Sequence, residues 1–267
     1  MESIASACQR VLLAAAPREK VKAARAVARA WRQGEIDWRF DAAMPDRPAR
    51  PEQPELLPAN RMPKRGKAGS ERSRIAMLHA LAHIEFGAID LAFDIAGRFG
   101  AGLPRAFIGD WLSVGADEAI HFAMLDRRLR TFGSNYGALP AHDGLWQAAT
   151  DTAHDPLARL AIVPMVLEAR GLDVTPATVA AFERGGDARS AAILARIYRD
   201  EIRHVAAGVR WFNFLCESRA LAPSSEWRRL VGRHFLGQIK RPFNDSARDE
   251  AGLSREYYEG VAGGGFA

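Results

Sequence analysis

The chain has 267 residues, 48% apolar and 26% charged, which is material for one large domain or two small ones with a substantial core. No uninterrupted apolar run approaches the ~18–20 residues of a membrane span. The opening MESIASACQRVLLAAAPREK carries an acid at position 2 and no basic leader, so it makes a poor secretory signal. Cys8 and Cys216 are the only cysteines and form no CxxC pair, which argues against a disulfide framework or a cysteine zinc site. The expectation is a soluble, cytoplasmic protein with no membrane partner.

The net charge of +5 is uneven, because residues 1–70 carry a balance of +6 and the remaining 197 a balance of −1. The basic excess therefore describes an arm rather than the body, and reads first as a solvated segment rather than a nucleic-acid clamp. In chain order, residues 2–33 read as helical, with Pro17 opening an Ala-, Lys- and Arg-rich stretch. Pro45, Pro48, Pro51 and Pro54 then recur every three residues, a spacing that suits an extended polyproline strand and forbids a helix. This divides the chain into a helical segment over 1–43, a Pro-rich basic linker or surface arm over 44–70, a main domain over 71–240 and a tail over 241–267.

From residue 71 the pattern turns to long helices. The first runs over about 71–97, ended by Gly97 and Gly100, and the second over 104–131, from Pro104 at its first position to Gly133. A long connection of little periodicity comes next. A third helix starts near Pro156 and stops at Gly171, a short one follows Thr175-Pro176, and a fourth long helix covers 187–218. A last amphipathic stretch, SSEWRRLVGRHFLGQIK, precedes a Gly-rich end whose GGGFA lacks the strand and spacing of a nucleotide-binding loop. The fold class is all-α: a four-helix bundle of ferritin-like arrangement, with one long crossover between the second and third helices.

The second helix contains Glu118-Ala-Ile-His121 and the fourth Glu201-Ile-Arg-His204. Residues three apart on a helix differ by about 60° around its axis, so each pair can grip one ion. Both pairs lie in apolar stripes: Trp111, Val114, Glu118, His121, Leu125 in one, and Leu194, Ile197, Glu201, His204, Trp211 in the other. Glu85 stands among Leu78, Ala82, Ile89 and Phe93, and Glu168 follows Leu160 and Pro164. A carboxylate buried alone is costly, and a metal is the usual remedy. Glu85 precedes Glu118 by 33 residues and Glu168 precedes Glu201 by 33, as in a duplicated helix pair. Four carboxylates and two imidazoles are the donor set of di-iron and di-manganese bundles, suited to two iron ions or a Mn/Fe pair. Asp117 and Asp200, each just before an ExxH glutamate, are candidate partners for the outward N–H of a ligating His.

The stretches LHALAHIEFGAIDLAFD, DEAIHFAMLDRRL, LPAHDGLW, VPMVLEARGLDVTP and IYRDEIRHVAAGVRWF resemble a bacterial ferritin-like family known only as a domain of unknown function, over about 70–240. The six-residue pattern is that of the ferritin-like di-iron carboxylate proteins and is also similar to the tRNA hydroxylase branch of that superfamily. The resemblance implies Glu85, Glu118, His121, Glu168, Glu201 and His204 as metal ligands, and it carries no settled activity.

Other residues are weaker candidates. His79 and His83 are four apart, but His83 lies two residues from Glu85 and so points elsewhere; His142 and His154 read as turns or caps. Tyr198, one turn before Glu201, is either a redox-active tyrosine or a core aromatic, and Pro164 either kinks its helix to open a coordination position or is simply tolerated near a helix start. Cys8 and Cys216 read as bystanders. The leading functional expectation is an O2-activating di-iron oxidoreductase of the hydroxylase or oxidase type, acting on an unidentified small molecule, with a separate reductase as electron donor. The alternatives are an iron-handling ferroxidase or peroxide scavenger, a tRNA-modifying hydroxylase using the basic arm, and a non-catalytic structural bundle; a homodimer is compatible with each.

Overall fold

A computed structural model describes residues 1–63, 66 and 68–261. Lys64, Arg65 and Lys67 of the Pro-rich segment, and the GGGFA end, lie outside the described residues. The chain is mostly helical, as the sequence implies, with a two-residue parallel pairing between β1 (Glu2–Ser3) and β2 (Ile36–Asp37). It divides into two units, Met1–Trp146 with Arg184–Asp187, and Gln147–Glu183 with Ala188–Ala267.

The first unit is built on a helical hairpin. Helix α1 (Ile4–Leu12) and α2 (Pro17–Arg32) precede α3 (Glu71–Phe99), which turns through Gly100–Gly102 into α4 (Arg105–Arg130). Pro104 sits one position earlier than expected, as the N-cap of α4 with extended backbone. Ser70 caps α3 by accepting from Ser73 N, and Gly133, at φ +70, lets the chain leave α4 in the left-handed conformation. Helices α1 and α2 pack against α3 and α4. Their apolar stripes, Ile4, Cys8 and Val11 with Ala24, Val27 and Trp31, are buried.

The basic N-terminal segment is therefore only partly solvated. Lys20 is 0% exposed; its Nζ pairs with the equally buried Asp90 on α3 and donates to Val11 O (3.2 Å) and Leu12 O (3.3 Å). The Pro-rich segment is an arm laid on this unit. Ala49 N–H donates to Leu12 O (2.8 Å), Trp146 Nε1 donates to Asp46 O (3.0 Å), and Leu57 and Glu55 bond with Ala141 at 2.8 and 2.9 Å. Gly97 does not end α3. It lies inside the helix where Met44 Sδ and Cys8 Cβ press on the backbone, and a Cβ there would collide with both.

The second unit begins within α5 (Gly144–Asp151), a helix in the connection where no periodicity marks one. Asp155 caps α6 (Pro156–Ile162), which passes through one π-helical turn, Val163–Glu168, into α7 (Ala169–Arg184). The expected stop at Gly171 is absent, and Pro176 is accommodated inside α7. After a short turn the chain returns as α8 (Ala188–Ser218), succeeded by α9 (Pro223–His234), α10 (Asp245–Glu250) and α11 (Arg255–Tyr258). Helix α6 and the π turn pack on α8, α9 packs on α6, and α10 packs on α8.

Among the described residues one helix, over Glu71–Gly102, is long and apolar enough to cross a membrane, and 67% of its most apolar window is buried. Its interior carries Glu85, Asp90 and Asp94, all buried, which marks it as a core helix.

Candidate metal centre

Three side chains of the first unit converge between α3 and α4. Glu85, Glu118 and His121 are 4%, 1% and 0% exposed, and their ligand atoms lie within 4.8 Å of one another. Helical spacing puts Glu118 and His121 on the face of α4 that meets α3, and the hairpin brings Glu85 opposite. His121 Nδ1–H donates to Glu85 Oε2 at 3.1 Å and lies 3.5 Å from Glu118 Oε2. The close approach of the two helices depends on Gly115, one turn before Glu118; a Cβ there would stand 2.6 Å from the Phe93 ring and 3.2 Å from Ala92 Cβ.

The electrostatics arise from burial. Desolvation, reinforced by the neighbouring Glu118 charge, holds the Glu85 carboxyl well above the ordinary carboxylate range. Burial opposes a charge on His121 as well, but hydrogen bonds to Glu118 and Glu85 outweigh it and raise the imidazole to about 11. Two carboxylates thus share one imidazolium proton at the point where their oxygens converge. A divalent cation, were one to bind here, would compete for that position with the proton, because metal binding requires the imidazole nitrogen to be unprotonated.

The second unit repeats the residue types. His204 is buried on α8, with Nδ1 3.5 Å from Glu201 Oε1, and the Glu201 side chain is 12% exposed. Glu168 is the last residue of the π turn. Pro164 in that turn lies against Gly208, where an added Cβ would meet the proline ring at 2.5 and 2.6 Å. Gly208 is four residues after His204 and Pro164 four before Glu168, so in this antiparallel hairpin the contact sets Glu168 level with His204. A π turn adds a residue to one helical turn and rotates the side chains beyond it about the helix axis, a distortion frequent at functional sites. The sequence offered Pro164 as its signal, since a proline cannot supply the backbone hydrogen bond of a regular turn.

Asp200 pairs along its own helix with Arg203 (2.6 Å) and Arg196 (3.7 Å), and Asp117 is half-buried beside Glu118. The Tyr198 hydroxyl accepts from Asn244 Nδ2 at 2.8 Å. His79 and His83 fasten the connection after α4. His79 Nε2 accepts from Gly137 N–H at 3.0 Å, and His83 lies between the Tyr136 hydroxyl (2.9 Å) and His142 O (3.1 Å). His142 Nδ1 accepts from Gly144 N–H at 3.2 Å, the turn expected of it. Cys8 and Cys216 are buried and unpaired with each other, and burial raises both thiols.

The family described as "Protein of unknown function (DUF455)" matches residues 13–259. The chain belongs to this family. The match takes in both helical hairpins and both Glu, Glu-x-x-His sets. An uncharacterized protein of Haemophilus influenzae is 41% identical over 211 residues, which cover 77% of this chain and 73% of that protein. No solved structure matches the chain.

Proposed function

We propose that this member of the family is a metalloprotein whose two Glu, Glu-x-x-His sets are the donor set of a di-metal centre of the ferritin-like kind. The observation that carries the reading is the buried convergence of Glu85, Glu118 and His121, together with a second Glu, Glu-x-x-His set in the other half of the chain. Glu168, Glu201 and His204 are the residues proposed to complete the set. The residues fit the group: four carboxylates and two imidazoles neutralise two divalent cations, and hard oxygen donors with nitrogen favour iron or manganese. Such a pair, when bound, supplies electrons to O2 for oxidation of an organic substrate, so the reaction class is a di-iron or Mn/Fe oxidoreductase, with a separate reductase renewing the electrons.

This chain's own residues have definite tasks in that reaction. Glu85 and Glu118 give up the proton held through His121 and offer their oxygens inward, while the apolar stripes of α3 and α4 keep bulk water out. Glu168, at the end of the π turn, would be a further carboxylate ligand, with the irregular turn setting its orientation about the helix axis. Asp117 and Asp200 are proposed to orient the imidazoles. The free cysteines suit a reducing compartment, and we assign the protein to the cytoplasm.

The test is metal content after anaerobic loading with Fe(II), and then the optical spectrum on admitting O2. The expected result is two metal ions per chain and a new near-ultraviolet or visible band, both lost in Glu118→Gln and His204→Ala. A folded protein that takes up no Fe(II) or Mn(II) would overturn the reading.

A further inference from the structure

One hollow in the first unit lies away from the carboxylate triad, where the start of α2, the Pro-rich arm and the end of α4 meet. Its volume is about 710 Å³, within the ~300–1,000 Å³ typical of small-molecule sites. Three arginines stand at its mouth, Arg18, Arg127 and Arg130, against one carboxylate, Asp126. Asp126 is already engaged: Oδ2 accepts from Arg130 Nε and Oδ1 from Tyr136 N–H, both at 3.0 Å. Among the described residues Arg18 and Arg127 have no ion-pair partner, so two guanidinium charges at one opening are uncompensated. The N-terminus of α2 adds to them, since its N-cap, Ala16, supplies no side-chain cap.

The floor is of opposite character and is firmly held. Phe122 and Tyr136, 3% and 9% exposed, meet edge to face at 5.1 Å, and both pack on Phe86. His79 stacks on the Tyr136 ring at 5.5 Å. The Tyr136 hydroxyl donates to His83 Nδ1, because the other nitrogen of His83 gives its hydrogen to His142 O. Phe122 comes directly after His121, about 100° around the helix, so this aromatic wall adjoins the turn of α4 that carries Glu118 and His121.

We propose that this cleft binds a small organic anion with a flat apolar body, the carboxylate or phosphate held by Arg18 and Arg127 and the body lying on Phe122 and Tyr136. Paired guanidinium groups recognise either anion through charge-assisted hydrogen bonds. A short aromatic floor with two arginines at one opening favours a small molecule over a polynucleotide, whose phosphates would need an extended positive track. The inference stands apart from the metal reading, because none of the six half-site residues lines the cleft.

Isothermal titration of the full chain with 1-naphthyl phosphate tests it, with inorganic phosphate, 1-naphthol and single-stranded RNA as comparisons. One site is expected for 1-naphthyl phosphate, and about tenfold or weaker binding for inorganic phosphate and for 1-naphthol, since each keeps only half of the recognition. The double variant Arg18→Gln/Arg127→Gln loses about tenfold or more in affinity. Ala123→Trp, from an exposed position on the cleft wall, blocks binding by filling the space. Both variants keep the wild-type melting temperature, and Glu118→Gln binds the probe as the wild type does. Absence of binding, affinity unchanged in the double variant or in Ala123→Trp, or RNA or inorganic phosphate binding as tightly as 1-naphthyl phosphate would each overturn it.

Discussion

Replacing Lys20 by Met keeps the length and apolar stem of the side chain and removes only its charge. Lys20 and Asp90 are both fully buried, and Asp90 has no other hydrogen-bond partner for its second oxygen, Oδ2. Burial already pushes the Asp90 carboxyl up to about 6 with the ammonium beside it. Losing one member of a buried ion pair costs ~3–5 kcal/mol, because the survivor is left charged in a medium that cannot solvate it. The two carbonyls that Lys20 caps keep other donors, Ala14 N–H for Val11 O and Ala49 N–H for Leu12 O, so they add little. At roughly 2–4 °C per kcal/mol for a unit of this size, Lys20→Met lowers the melting temperature by roughly 6–20 °C at pH 7. The double variant Lys20→Met/Asp90→Leu regains most of that loss, since an apolar pair can replace a buried ion pair at little cost. Scanning calorimetry decides. A single variant melting within about 2 °C of wild type, or a double variant no more stable than the single, refutes the argument.

Gly208→Ala drives a methyl group into the rigid ring of Pro164 and should cost about 1–3 kcal/mol, with weaker metal uptake as Glu168 is displaced. The control is Gly171→Ala in α7, where nothing lies within 4 Å; it should stabilise by ~0.5–1 kcal/mol and leave metal stoichiometry unchanged. Equal effects of the two substitutions would sever the π turn from the site. Burial lowers the His79 imidazole to about 4, so it is neutral in the fold while the unfolded chain takes up a proton near pH 6.5. Its contribution to stability is therefore present above pH 6.5 and lost as the pH falls toward 4. Melting curves across that window should show a shallower decline for His79→Gln, whose amide oxygen can still accept from Gly137; an unchanged slope would count against the assignment.

The cluster of the first unit was legible because carboxylates at helical spacing inside apolar stripes contradict the burial rule unless something compensates them. Glu85, Glu118 and His121 do converge, and the α3–α4 hairpin has nearly the limits its Gly and Pro signals suggested. Packing between distant segments was not legible. Gly97 reads as a helix terminator by composition, yet it serves the approach of Met44 and Cys8, a fact written in the third dimension. Lys20 sits in a stretch so basic that solvation is the natural reading; only the apolar period of Ala24, Val27 and Trp31 hinted that one face is covered. Pro164 was the one sign of the π turn, because periodicity registers which faces are apolar and one extra residue in a single turn barely alters that. Asn244 on the Tyr198 hydroxyl pairs residues 46 apart, a separation that no local pattern encodes.

The hold of the first 60 residues on the first unit sets the smallest piece of this protein that can stand alone. A chain trimmed to begin at residue 71 would keep every half-site residue and look complete by motif. It would nevertheless strip Lys20 from Asp90, bare the groove that Met44 and Cys8 fill at Gly97, and leave Ala141 and the Trp146 indole without their partners on the arm. Such a fragment would present a long apolar helix flank to solvent and aggregate rather than bind metal. A protease probing the native protein should likewise find residues 46–57 a poor substrate for their apparent irregularity, since cleavage needs an extended stretch free of such ties.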